Sequence, residues 1–230
     1  MAGEHLNTRT PIYLELGQKR VFAGALDWPG WCRSGRDEAG TLAALAASAP
    51  RYAVVAAEAG LGFSPEMASA FEVVERLPGS STTDFGAPDK IAALDGEPLS
   101  AEEAERIAAL VAASWCVFDR VVARAPAVLT KGPRGGGRDR DAIVEHVLAA
   151  ETAYARKIGV RQRQPKADDA AAVAALRDAI VTTLRASHET IPVVERGWPA
   201  RYAARRIAWH VLDHAWEVEE RGGLTPERAW

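Results

Sequence analysis

Two different rhythms of apolar and polar positions divide the chain. Residues 11–16 alternate between the two kinds and are rich in β-formers, and residues 20–27 hold a second apolar run after a short polar break that includes Gly17. That pairing predicts a hairpin. Trp28-Pro29-Gly30-Trp31 then punctuates the chain, as Pro-Gly pairs do. Asp37 is placed to cap a helix running through Thr41, Leu42, Leu45 and Ala46, with Pro50 interrupting or ending it. Residues 52–59 read as further helix before Gly60-Leu61-Gly62, and residues 72–77 as a third strand. Residues 78–98 hold three Gly, three Pro and several Ser, Thr and Asp, a composition that predicts a linker.

Beyond residue 98 the period changes from two to about three and a half. Ser100 followed by Glu103 is a capping box, in which each side chain satisfies an orphan backbone N–H of the first turn. Ile107, Leu110, Val111, Val117, Phe118 and Val121 follow at helical spacing up to Pro126. A Gly-rich connection, residues 131–138, leads to Asp139 and a second helix whose inner face is Ile143, His146, Val147, Ala150 and Tyr154. After a polar turn at residues 161–168, a third helix carries Val173, Leu176, Ile180, Thr183 and Leu184 on one side. Trp198-Pro199 opens a fourth, because proline fits the first turn where no N–H partner is lost, and Gly222-Gly223 ends it. Four helices of roughly 20 residues with short connections make a bundle. The fold class is therefore α+β: a small N-terminal β-α-β module at residues 1–77, a linker at 78–99, an all-α four-helix bundle at 100–222 and a tail at 223–230.

Composition narrows the classes of function. At 230 residues and 48% apolar, the chain has ample material for a core. A net charge of −3 argues against a general nucleic-acid binder, which carries a basic excess. The basic stretches at 134–140 and 161–166 are broken by Gly, Asp or Gln and read as solvated loops. No apolar run reaches the length of a membrane span, and Met-Ala-Gly-Glu-His is no signal segment. Two cysteines far apart, Cys32 and Cys116, are no disulfide framework, so a cytoplasmic location is expected. Cys116 lies within the apolar stripe and reads as a small buried residue, while Cys32 falls in a Trp-flanked loop and reads as exposed. Heavy use of Ala and Arg with little Lys is the habit of a GC-rich bacterial genome. The run from Lys131 to Arg138 has glycines like a phosphate loop but no Lys-Ser/Thr ending and no preceding strand, so it reads as a flexible connection.

The residues that carry chemistry are histidines. His210 and His214 are four apart in the fourth helix, so both imidazoles emerge on one face about 6 Å apart. Five histidines make ten pairs, and the chance that one pair falls four apart is roughly one in ten, so the pair alone has modest weight. His146 adds to it by falling on the core face of the second helix. Three histidines turned inward each need a hydrogen-bond partner or a metal ion, and on spacing alone both readings stand. Glu217, a turn beyond His214, reads either as a carboxylate that orients a ligand or as an ordinary surface glutamate. Arg206, a turn before His210, reads either as a clamp for a substrate carboxylate or as a surface arginine. His5 reads as tail, His188 as the end of the third helix and Tyr154 as packing.

One His early in the second helix and His-x-x-x-His in the last resemble the DinB-like four-helix metalloproteins. The matching text is Asp141-Ala-Ile-Val-Glu-His146-Val-Leu-Ala-Ala-Glu151-Thr-Ala-Tyr154 and Ala208-Trp-His210-Val-Leu-Asp-His214-Ala-Trp-Glu217, within residues 98–222. The resemblance implies that His146, His210 and His214 hold one divalent ion, zinc, nickel or iron. It further implies a metal-dependent enzyme activating a low-molecular-weight thiol of the mycothiol type for transfer or isomerisation of a small-molecule substrate. The rival reading is a non-catalytic binding protein in which the metal stabilises the bundle and the N-terminal module recognises a protein partner.

The N-terminal text Ala25-Leu-Asp-Trp-Pro-Gly30-Trp-Cys-Arg-Ser-Gly35-Arg-Asp-Glu-Ala39 is similar to HicB-like antitoxin modules over residues 11–76. Those modules bind a toxin and are usually followed by a DNA-binding segment, whereas here a metal bundle follows. The resemblance therefore implies a docking or dimerisation module, with a homodimer among the expected partners.

Overall fold

The computed structural model describes residues 9–132, 136–189 and 196–228. The chain is mixed α+β, with a four-stranded sheet at the N-terminus followed by helices. The expected hairpin is β1 (Thr10–Leu16) paired antiparallel with β2 (Val21–Ala25), in register from Ile12 opposite Ala25 to Leu16 opposite Val21. β3 (Cys32–Gly35) adds to the other side of β2, and β4 (Phe71–Pro78) lies parallel to β1, giving the order β3-β2-β1-β4. The crossover to β4 runs through α1 (Glu38–Ala47) and α2 (Ala49–Glu58). Asp37 caps α1 by accepting from the Gly40 N–H at 2.7 Å, and Pro50 sits in the first turn of α2, where a missing N–H costs nothing.

β3 was not expected, because Cys-Arg-Ser-Gly shows no apolar alternation. Its partner strand and the aromatic turn before it supply the order instead. Trp31 is fully buried, stacks on Tyr52 at 5.8 Å, and donates its indole N–H to Leu45 O and Ser48 Oγ, both at 3.1 Å. Cys32 is buried rather than exposed as expected, since it pairs with Gly24 across the strands and faces Tyr13 and Phe22.

The bundle comprises α4 (Ala101–Arg124), α5 (Arg140–Lys157), α6 (Ala170–Arg185) and α7 (Ala200–Gly222). The capping box forms as expected: Glu103 N–H donates to Ser100 Oγ at 3.1 Å and Ser100 N–H to Glu103 Oε2 at 2.7 Å. Gly223 ends α7 in the left-handed conformation, φ +68. α4 packs on α6 and α7, and α5 packs mainly on α7. Cys116 is exposed, against expectation. In a helix it lies on the side away from Ile107, Leu110, Val121 and the rest of the buried stripe, so neighbouring apolar residues in sequence are not its neighbours in space.

Residues 78–98, expected to be a linker, are packed against the rest of the fold. They form α3 (Ser81–Asp84), a 3₁₀ turn at Ala93–Gly96, and two buried polar anchors. The fully buried Glu15 carboxylate of β1 accepts from Thr83 Oγ1 at 2.8 Å, Asp89 N–H at 2.9 Å and Lys90 N–H at 3.0 Å. Asp95 makes a two-point ion pair with the buried guanidinium of Arg205 on α7, one arm of it 2.7 Å long. The polar residues that suggested a solvated linker are thus partners for buried charges. One apolar cluster also crosses the expected boundary, joining Ile12, Leu14, Trp31, Leu45 and Tyr52 to Leu110, Val111, Ala208 and Leu212.

α7 is the helix around which both halves close. The Trp28–Trp31 turn presses on it through Gly30, φ +92, where a Cβ would come within 2.7 Å of Leu212 Cδ1 and 3.1 Å of Ala208 Cβ. Only glycine satisfies both the backbone angle and that approach. Among the described residues no helix is long and apolar enough to cross a membrane.

Candidate metal centre

α5 and α7 bring three imidazoles together. His146 lies in the second turn of α5, and His210 and His214 lie one turn apart on the side of α7 opposite Ala208 and Leu212. One ring nitrogen from each falls within 4.8 Å of the others, and ring centroids are separated by 4.6 to 5.1 Å. His210 Nε2 is 3.3 Å from His146 Nε2. Two imidazoles bound tetrahedrally to an ion at about 2.0–2.1 Å place their nitrogens about 3.3–3.4 Å apart. The spacing of this pair therefore matches a shared ligand sphere. Among the described residues these three form the one group of histidine, cysteine and carboxylate side chains close enough to hold an ion.

The electrostatics favour lone pairs over protons. His210 is buried, and burial pushes its pKa down to about 2, reinforced by His214 and His146 beside it. His146 is also shifted down, first by burial and then by His214. Neutral imidazoles are the form that ligates a metal. His210 Nδ1 is buried and makes no hydrogen bond, so nothing in the protein fully satisfies this side chain. Nε2 is the nitrogen that faces His146, so an ion held there would leave Nδ1 without a partner as well, and the case for a metal rests on the convergence of the three rings.

His214 Nδ1 lies 2.8 Å from Glu217 Oε2, leaving Nε2 as the nitrogen free to bind an ion. Glu217 also receives Arg221 Nη1 at 2.5 Å. These two hydrogen bonds, that from His214 first, hold the Glu217 carboxyl below its usual pKa, so it remains an anionic acceptor. Arg206 lies one turn before His210, with its guanidinium carbon 5.0 Å from the Trp209 ring and 5.6 Å from Tyr154. Its Nε and Nη1 are buried without a hydrogen-bond partner. Tyr154 meets His210 edge-on at 5.8 Å and Trp198 at 5.2 Å, so it packs as expected and also walls the histidines.

Trp209 and Arg221 were not singled out in the sequence. Trp209 packs edge-to-face on Phe22 of β2 at 6.2 Å, a contact no local pattern announces. Arg221 looks like any helix C-terminal arginine until the loop it reaches is known. His188 sits in the 3₁₀ turn Ala186–Glu189 that follows α6, with Nδ1 3.0 Å from Arg185 O, far in role from the cluster. His5 and the centre of the Gly-rich connection, residues 133–135, lie outside the described residues. No protein-family model, curated protein or solved structure matches this chain.

Proposed function

We propose that this chain is a metal-dependent enzyme of the DinB-like kind that activates a low-molecular-weight thiol of the mycothiol type for transfer or isomerisation. The observation that carries the reading is the convergence of His146, His210 and His214, with His210 and His146 nitrogens 3.3 Å apart and no fourth protein ligand near them among the described residues. A three-histidine set leaves a coordination position for an external ligand, the hallmark of a catalytic site. A divalent ion there lowers the pKa of a thiol and so supplies the nucleophile near neutral pH. Imidazole suits zinc, nickel and iron alike.

The surrounding residues have complementary roles. His210 stays unprotonated because it is buried, so its lone pair is available at any physiological pH. Glu217 accepts from His214 Nδ1 and thereby fixes the tautomer that leaves the lone pair on Nε2. Arg206, a turn before His210 and packed on Trp209 and Tyr154, supplies a cation beside the site for a carboxylate of the thiol or its electrophile. Tyr154 and Trp209 shield this side from water. The N-terminal unit, similar to HicB-like modules, is read as the scaffold that seats α7, and as the surface for any homodimer. A cytoplasmic location belongs to the same reading, since such thiols are kept reduced there.

The test uses cobalt-substituted protein. Mycothiol or bacillithiol should produce a sulfur-to-metal charge-transfer band and be consumed with an electrophile. Alanine at His210 or His214 should abolish metal retention and both signals. A protein that binds no divalent ion would sink the reading altogether. One that binds the ion but shows no band with any thiol would favour the metal-stabilised binding protein.

A further inference from the structure

We propose that Arg221 is a positioning residue for the metal centre, locking the carboxylate that orients His214 to the loop that leads into the helix of His146. The inference rests on the metal reading above and adds a residue to it.

The ligands come from two helices with no covalent tie near the site, and a metal centre tolerates displacements of only about 0.5 Å. Something must fix α5 against α7 at that end of the bundle. Arg221, in the last turn of α7, makes three directed bonds. Nη1 donates to Glu217 Oε1 at 2.5 Å, Nε to Thr130 O at 2.9 Å, and Nη2 to Arg138 O at 2.8 Å. Its own carbonyl accepts from Thr130 N–H at 2.9 Å. Thr130 and Arg138 both lie in the connection from α4 to α5, and Arg138 is two residues before α5 begins. One planar guanidinium therefore spans the chain from His214, through Glu217, to the root of the helix bearing His146.

The loop is shaped to admit that guanidinium. Gly137 has φ +115, and a Cβ there would lie 2.6 Å from Arg221 Nη2. Any side chain would push the arginine away from Arg138 O. Asp139 steadies the same loop by accepting from Leu129 N–H at 3.1 Å and pairing with Lys131 at 2.5 Å. Lysine in place of Arg221 would keep the charge but could not make three divergent in-plane bonds.

The experiment measures zinc and cobalt affinity by competition with a chromophoric chelator, together with the cobalt ligand-field spectrum and the unfolding of the metal-free protein. Arg221→Gln should weaken zinc binding about tenfold, the lower range for loss of an outer-shell partner, and shift the cobalt bands. Arg221→Lys should not restore the wild-type values. Arg221→Gln combined with Glu217→Gln should bind zinc no worse than the weaker single variant, because both act along one path. Gly137→Ala reaches the guanidinium from the loop side and should act in the same direction, which covers the case of an Arg221 variant that fails to fold. An arginine that merely anchors the loop would lower the stability of the metal-free protein and leave zinc affinity and the cobalt spectrum at wild-type values, overturning the proposal. Wild-type protein that binds neither ion would instead overturn the metal reading, and the proposal with it.

Discussion

Replacing Glu151 with glutamine should remove a block of pH-dependent stability that the wild-type protein carries between about pH 4.5 and pH 7. Glu151 is 1% exposed on α5, its Oε1 makes no hydrogen bond, and its Oε2 is 3.5 Å from Arg177 Nε. Arg177 divides its charge with Asp119, at 2.7 Å, so it offsets only part of the cost of burying an anion. Burial raises the Glu151 pKa from 4.5 to about 7, with Arg177 opposing. The folded state therefore holds more protons than the unfolded state between those values. Stability from this group is fully present below about pH 4.5, falls as pH rises, and levels off above the folded pKa. The size follows from the shift: 7 − 4.5 is 2.5 units, which at 1.36 kcal/mol per unit is about 3 kcal/mol. For a chain of this length that corresponds to roughly 6–12 °C in melting temperature. The assay is urea unfolding of both proteins from pH 4.5 to 8, reading the difference between them so that groups common to both cancel. The glutamine variant should gain about 3 kcal/mol on the wild type across that range. A difference that stays flat with pH would refute the argument, and would mean that Glu151 reaches water or keeps a full-strength partner when charged.

Asp95→Ala should destabilise the protein by about 3–5 kcal/mol in urea unfolding, because it strands the buried Arg205 cation, while Asp95→Leu with Arg205→Met should recover most of that loss. The two thiols should differ sharply toward a disulfide reagent in native protein. Cys116 is exposed and should react within minutes, whereas Cys32, buried and pushed up to about 12 chiefly by burial, should react only on unfolding.

The parts of this fold that were legible in the sequence are those decided locally. Ser100 with Glu103 and Gly223 mark helix ends because a terminus has orphan N–H or carbonyl groups within a turn of the residue that meets them, and Pro199 marks one because it has no N–H to leave unpaired. The stripe Ile107, Leu110, Val111, Phe118 and Val121 marks a buried face for the same local reason. What was missed depends on distant partners. Cys-Arg-Ser-Gly is a strand only because β2 already lies beside it. Residues 78–98 carry the same text a solvated linker would, and their structure is set by Glu15 and Arg205, which are far away in sequence. The histidines fall between these cases. Helical periodicity placed all three on inward faces, while the 3.3 Å approach of His146 and His210, and the route from Glu217 through Arg221 to the loop, needed the packing of α5 on α7.

That packing also bears on what the N-terminal half contributes. α7 is held on two opposite faces at once: on one, Ala208 and Leu212 meet Gly30 with Arg205 beside them on Asp95, and on the other His210 and His214 meet His146. A four-helix bundle alone would leave the first of these faces without the Gly30 turn against Leu212 and Arg205 without its carboxylate. Hydrophobic burial at the Gly30 contact and the ion pair at Asp95 both resist rotation or sliding of α7. Either motion would move His210 and His214 together relative to α5. The sheet and the 78–98 strap thus act on the candidate site through the helix they hold, without touching a ligand. A module appended only to recognise a partner would not need to share a core with the bundle, and this one does.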